Sequence, residues 1–212
     1  MALSDRPAER HRQVGQLFTE RVGGTRFWDA PSPVSGWVAR DIVRHLIQWL
    51  PGFLSAGAAV ELPSGPPVDD DPAAAWQVHC AAVQAVLDDP ATTDRVLANP
   101  HVGALPLDRA IDQFYTPDVF MHTWDLARAT GQDDRLDPDF CAHLLAGMEQ
   151  MEEAMRSSGH YGARWCGIGG GEGRTADHHR PPEEGHRLKP SASPSTLTPV
   201  TFAQVPRRGP GR

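Results

Sequence analysis

The residues with the clearest chemical potential are a carboxylate and an imidazole four positions apart, Asp118 and His122. On an α-helix this spacing places both side chains on one face, about one turn apart. Carboxylate oxygen and imidazole nitrogen are both ordinary zinc ligands, so the two side chains can bind one divalent cation together. Because such pairs also arise by chance, a metal site here requires a third ligand from another helix.

His45 is the candidate for that third ligand. It lies inside a predicted second helix, on or beside the apolar side, so its imidazole can face a neighbouring helix. Two imidazoles and one carboxylate leave a coordination position open, which is typical of catalytic rather than structural zinc sites. The alternative interpretation is that His45 is a packed, hydrogen-bonded histidine of the core.

Apolar residues recur at helical spacing along most of the chain, with almost no strand signal. The five predicted helices cover residues 5–22, 35–51, 72–87, 107–130 and 138–158. Ser35 is the expected cap of the second helix, Pro51 is expected to kink or end it, and Pro117 is expected to bend the fourth. A short hairpin is expected around Val96 and Val102. The pattern predicts an all-α bundle over residues 1–158, with its sites built from facing helices.

Residues 159–212 differ in kind from the rest of the chain. They are rich in glycine, proline and arginine, whereas residues 1–158 carry the acidic excess. A segment without apolar periodicity buries too little surface to offset the entropy lost on ordering. We therefore predict a low-complexity, disordered tail.

Composition excludes several functional classes. The 212-residue chain has a formal net charge of -7, which argues against a general nucleic-acid binder. The most apolar run, residues 42–62, is interrupted by charged and polar residues, so no membrane span is expected. Three widely spaced cysteines and the lack of a signal-like N-terminus favour a reducing, cytoplasmic location. A homodimer is allowed but not indicated.

Two stretches resemble signatures of a known family. Residues 28–33 read WDAPSP, residues 36–45 read GWVARDIVRH, and residues 117–131 read PDVFMHTWDLARATG. Over residues 5–160, the chain is similar to the DinB-like, mycothiol-dependent maleylpyruvate isomerase family, especially to a branch of small proteins described as metal-binding. The resemblance implies a DinB-like four-helix bundle and a metal, commonly zinc, bound by His45, Asp118 and His122. The characterised isomerase has Glu at the position of Asp118.

The resemblance also implies a chemistry. In that family the thiol of mycothiol binds the metal and attacks a small electrophile, which gives S-transfer or thiol-assisted cis–trans isomerisation. The sequence leaves two alternative functions open. The bundle is a metal or small-molecule binder without turnover, or it is an inactive relative that lacks the closing helix usual in this branch.

Several residues near the candidate ligands have two interpretations. Asp125 either hydrogen-bonds the His122 imidazole or serves as an alternative ligand, or it pairs with Arg128. Asp41 either orients His45 or favours the first turn of its helix.

Charged and aromatic neighbours are similarly ambiguous. Arg40 and Arg44 either attract an anionic substrate or belong to a solvated face. Trp37, Trp49 and Trp124 either wall the pocket or pack in the core.

Overall fold

A computed structural model describes residues 2–92, 94–100 and 103–157. The elements are α1 (Pro7–Gly24), α2 (Ala39–Ala58), α3 (Pro72–Asp88), a 3₁₀ turn (Pro90–Thr92), β1 (Val96–Asn99), β2 (Gly103–Pro106), α4 (Leu107–Ala110), a π-helical turn (Ile111–Tyr115), α5 (Thr116–Thr130) and α6 (Pro138–Ser157). The mostly helical architecture is thus confirmed. The predicted tail, 159–212, lies outside the described residues.

Helix α1 contacts both α3 and α5, and α2 contacts the same two helices. The predicted apolar face of α1 is buried through Val14, Phe18 and Val22. The Phe18 ring lies 4.5 Å from that of Trp76 on α3, and the Trp76 indole donates a hydrogen bond to the Thr19 hydroxyl at 2.9 Å. These contacts place one apolar core between the helices.

The start of α2 differs from the sequence-based prediction, in which Ser35 was the cap. Pro31 and Val38 instead form an isolated antiparallel bridge, so the chain doubles back before the helix begins at Ala39. The Asp41 carboxylate accepts a hydrogen bond from the Val38 backbone N–H at 2.9 Å. Asp41 therefore stabilises the first turn of α2, as one of its two interpretations proposed.

Pro51 does not end α2, which continues to Ala58. A proline inside a helix removes one backbone hydrogen bond and costs about 3 kcal/mol. Leu46, Leu50 and Leu54 lie on both sides of it and are completely buried. Burial of each such side chain contributes about 1.5–3 kcal/mol, which outweighs the local cost.

The chain from Leu107 to Thr130 remains helical throughout, as predicted, but it changes its hydrogen-bond pattern in the middle. The Thr116 N–H bonds to the Ile111 carbonyl, five residues back. Pro117 follows at once; it has no N–H, and in a regular α-helix its ring would clash with the carbonyl four residues earlier. The wider π-helical turn accommodates this proline at the start of α5.

The expected hairpin is present between α3 and α4. Strands β1 and β2 pair antiparallel, with Leu97 opposite Leu105. Gly57 of α2 approaches this hairpin so closely that a Cβ there would lie 2.8 Å from the Leu97 side chain. The glycine allows the hairpin to pack on α2.

Helix α6 begins as predicted, because the Asp137 carboxylate accepts a hydrogen bond from the Phe140 N–H at 2.9 Å. The Phe140 ring packs edge-on against Phe120 of α5, with ring centroids 4.8 Å apart. None of the helices in the described part of the chain is both long and apolar enough to cross a membrane.

Two histidines lie in the core between α1, α3 and α5. The His11 Nδ1 is 3.0 Å from the Thr116 hydroxyl, and the His79 Nε2 is 2.9 Å from the Tyr115 hydroxyl. Burial, followed by the charges of His79 and Arg12, lowers the pKa of His11 to about 3. Burial lowers the pKa of His79 to about 4. Both histidines are therefore neutral in the folded protein at neutral pH.

These buried histidines predict acid sensitivity. Below pH 6.5 the unfolded chain protonates both imidazoles while the folded protein does not, so each lowers the free energy of unfolding by about 1.4 kcal/mol per pH unit. We expect His11→Gln to make this pH dependence shallower by about that amount between roughly pH 6 and pH 4.5. Urea denaturation at a series of pH values measures the difference. Equal slopes for variant and wild type would contradict the prediction.

Candidate metal centre

Helices α2 and α5 bring together the three side chains that the sequence analysis selected. The His45 Nε2 lies 3.1 Å from Asp118 Oδ2, and the His122 Nε2 lies 3.5 Å from Asp118 Oδ1. The two imidazole ring centroids are 4.9 Å apart. One ligand atom from each residue falls within 4.8 Å of the other two.

These separations suit a single small cation. In a tetrahedral zinc site with ligand distances of about 2.0–2.2 Å, the ligand atoms lie about 3.3–3.6 Å from one another. The distance from the His45 Nε2 to Asp118 Oδ2, 3.1 Å, and that from the His122 Nε2 to the other oxygen, Oδ1, 3.5 Å, are both close to this spacing. The side chains of His45, Asp118 and His122 are 22%, 20% and 13% exposed, so a small molecule can reach the cluster from solvent.

Asp118 is held as a charged carboxylate. Burial raises the pKa of Asp118, but the hydrogen bond with His45, the nearby imidazoles of His122 and His45, and the Trp49 N–H together outweigh burial and lower it. The Trp49 indole donates to Asp118 Oδ2 at 2.9 Å. Trp49 was predicted only to wall the pocket or pack in the core, and this hydrogen bond was not predicted from the sequence.

Asp125 fixes the orientation of His122. Its Oδ2 lies 2.8 Å from the His122 Nδ1, which leaves Nε2 facing Asp118. A carboxylate on the far nitrogen of an imidazole is the usual support of a metal-binding histidine. Arg128, the alternative partner, instead pairs with Asp134 at 3.1 Å.

The same arrangement affects protonation of His122. Burial lowers the pKa of His122, but the hydrogen bond to Asp125 and the negative charges of Asp118 and Asp125 outweigh it and raise the pKa above 6.5. A proton therefore competes with a cation for Nε2 in acid.

The ring face of Trp37 forms one wall of the cluster. The Trp37 ring is stacked on His122 at 5.9 Å and lies 5.3 Å from the His45 ring. Trp124 is 39% exposed and packs against the Arg128 guanidinium. Trp37 therefore supplies an apolar surface beside the imidazoles, and Trp124 does not.

Arg40 and Arg44 are paired with carboxylates. Arg40 contacts Asp29 at 2.7 Å, and Arg44 contacts Asp69 at 2.6 Å and also Asp41. These ion pairs are partly solvated, which agrees with the solvated-face interpretation.

The other described histidines and cysteines form no second cluster of this kind. In the described part of the chain, no other group of three His, Cys, Asp or Glu side chains has metal-binding geometry. His79 is a buried partner of Tyr115, and Cys80 and Cys141 are free thiols.

Comparison with known proteins adds relatives without a known role. No family model matches the chain, and no solved structure matches it. Two proteins of Mycobacterium tuberculosis, from strains CDC 1551 and H37Rv, are each 29% identical over 143 residues, which is 66% of this chain and 76% of theirs. Both are described only as uncharacterized. The DinB-like resemblance thus remains a prediction from the motifs.

The contact between Asp125 and His122 predicts a measurable pKa change. Asp125→Asn removes the negative charge that helps to raise the pKa of His122, so that pKa is expected to fall. NMR titration of the imidazole signals in metal-free protein measures it. Asp134→Asn, which removes a partly exposed carboxylate paired with Arg128, is the matched control and should leave His122 unchanged. A His122 pKa that is the same in Asp125→Asn and wild type would contradict the assigned hydrogen bond.

Proposed function

We propose that the protein binds one divalent cation, zinc by the chemistry of its ligands, through His45, Asp118 and His122. The observation that carries this proposal is the convergence of these three side chains from two helices. A carboxylate between two imidazoles gives a ligand set with one net negative charge, which favours a divalent cation over an anion or a neutral ligand.

We further propose that the site serves a low-molecular-weight thiol, mycothiol, in S-transfer or thiol-assisted isomerisation of a small electrophile. Support comes from the motifs at 28–45 and 117–131, which resemble those of the mycothiol-dependent family. A bound divalent metal supplies Lewis acidity and lowers the pKa of a thiol that it holds. The protein's own cysteines are not required.

The chain's residues have distinct roles in this proposal. Asp125 keeps a proton on His122 Nδ1, so the lone pair of Nε2 is available to a metal. Trp37 covers one side of both imidazoles and limits access of water there. Three protein ligands leave a further coordination position for the thiol.

Metal content tests the ligand assignment. We expect wild-type protein to carry about one equivalent of zinc, and His45→Ala and His122→Ala each to lose most of it, because two remaining ligands bind a cation weakly. Elemental analysis of purified, folded protein measures the content. His143→Ala, at an exposed histidine on α6, is the matched control and should retain the metal. Equal metal in all four proteins would overturn the assignment.

Thiol consumption tests the chemistry separately. Zinc-loaded wild type is expected to consume mycothiol in the presence of a reactive electrophile from a panel, and His122→Ala is expected to lose this activity. A colorimetric thiol assay follows the reaction, with chelated wild type as a second control. A fully loaded protein that binds mycothiol but consumes none would support the non-catalytic binder instead.

A further inference from the structure

Helix α2 contributes a second residue to the cluster besides His45. Trp49 lies four residues after His45, so both side chains point from the same face of the helix. The Trp49 Nε1–H donates to Asp118 Oδ2 at 2.9 Å, and the same oxygen lies 3.1 Å from the His45 Nε2. The other oxygen, Oδ1, faces the His122 Nε2 at 3.5 Å. When the His45 Nε2 binds a cation it carries no proton to donate, so the Trp49 N–H is then the remaining hydrogen-bond donor to Oδ2.

The direction of the Trp49 N–H is fixed by packing. The indole lies edge-on against Tyr115 at 5.5 Å and against Phe53 at 5.9 Å. Tyr115 is completely buried, and its hydroxyl is in turn hydrogen-bonded to the His79 Nε2 at 2.9 Å. A donor held in this way limits rotation of the Asp118 carboxylate.

This limit has a consequence for metal coordination. A carboxylate can bind a cation through one oxygen or through both. Binding through both oxygens, together with His45 and His122, would supply four protein ligand atoms and fill a four-coordinate site. A hydrogen bond that occupies Oδ2 favours binding through a single oxygen.

We propose that Trp49 is a positioning residue that keeps Asp118 a one-oxygen ligand and thereby preserves the open coordination position. The inference rests on the proposed metal site. It assigns a role to an indole that belongs to neither the ligand set nor the apolar wall.

Cobalt(II) substitution tests the inference, because four-coordinate cobalt absorbs visible light more strongly than five- or six-coordinate cobalt. We expect cobalt-loaded wild type to show intense bands. Trp49→Phe keeps most of the ring and removes the N–H, so its bands should be several-fold weaker per bound cobalt as Asp118 binds through both oxygens. Trp124→Phe, at the exposed tryptophan on α5, is the matched control and should match wild type.

A second variant separates the hydrogen bond from packing. Site-specific benzothienylalanine at position 49 retains the shape of the indole but has sulfur in place of N–H, so it should weaken the bands even if Trp49→Phe fails to fold. Unchanged band intensity per bound cobalt in the folded variants would overturn the inference. A raised Kd for cobalt alone would not support it, because lost packing also raises that Kd. Wild type that binds no cobalt would overturn the proposed function itself.

Discussion

The arrangement of α2 and α5 depends on the polar groups that offset the negative charge of one partly buried carboxylate. Asp118 lies between two helices, where an isolated negative charge would cost several kcal/mol. The His45 and His122 imidazoles and the Trp49 N–H surround it. Three polar groups therefore converge on one carboxylate, and this convergence is also what makes the cluster suited to a cation.

The backbone that delivers Asp118 is itself irregular. The π-helical turn Ile111–Tyr115 adds a residue to one helical turn just before α5. One added residue rotates the following helix by about 100° relative to the preceding one. The turn therefore sets which face of α5 meets α2. It lies directly before the cluster, and π-helical turns are frequent at functional sites. Tyr115, its last residue, also packs against Trp49.

The sequence was sufficient for features set by local spacing. Helical periodicity predicted the helices and the shared face of Asp118 and His122, and Asp137 caps α6 as expected. Features that depend on how distant segments meet were not predictable in this way. The Ser35 cap was wrong because Pro31 pairs with Val38.

Within the site, too, some features follow from local spacing and others depend on how distant segments meet. The position of His45 in the second helix made it a candidate ligand but favoured a packed core histidine, and the family motifs were needed to pair it with the α5 residues. The hydrogen bond between Trp49 and Asp118 depends on the relative rotation of α2 and α5, which local sequence does not specify. Anomalous X-ray scattering from crystals grown with zinc, collected above and below the zinc edge, locates the bound metal ion relative to these three side chains. One zinc peak is expected about 2.0–2.2 Å from the Nε2 atoms of His45 and His122 and from one Asp118 oxygen. A zinc peak elsewhere, or no peak between these residues, would contradict the proposed metal site.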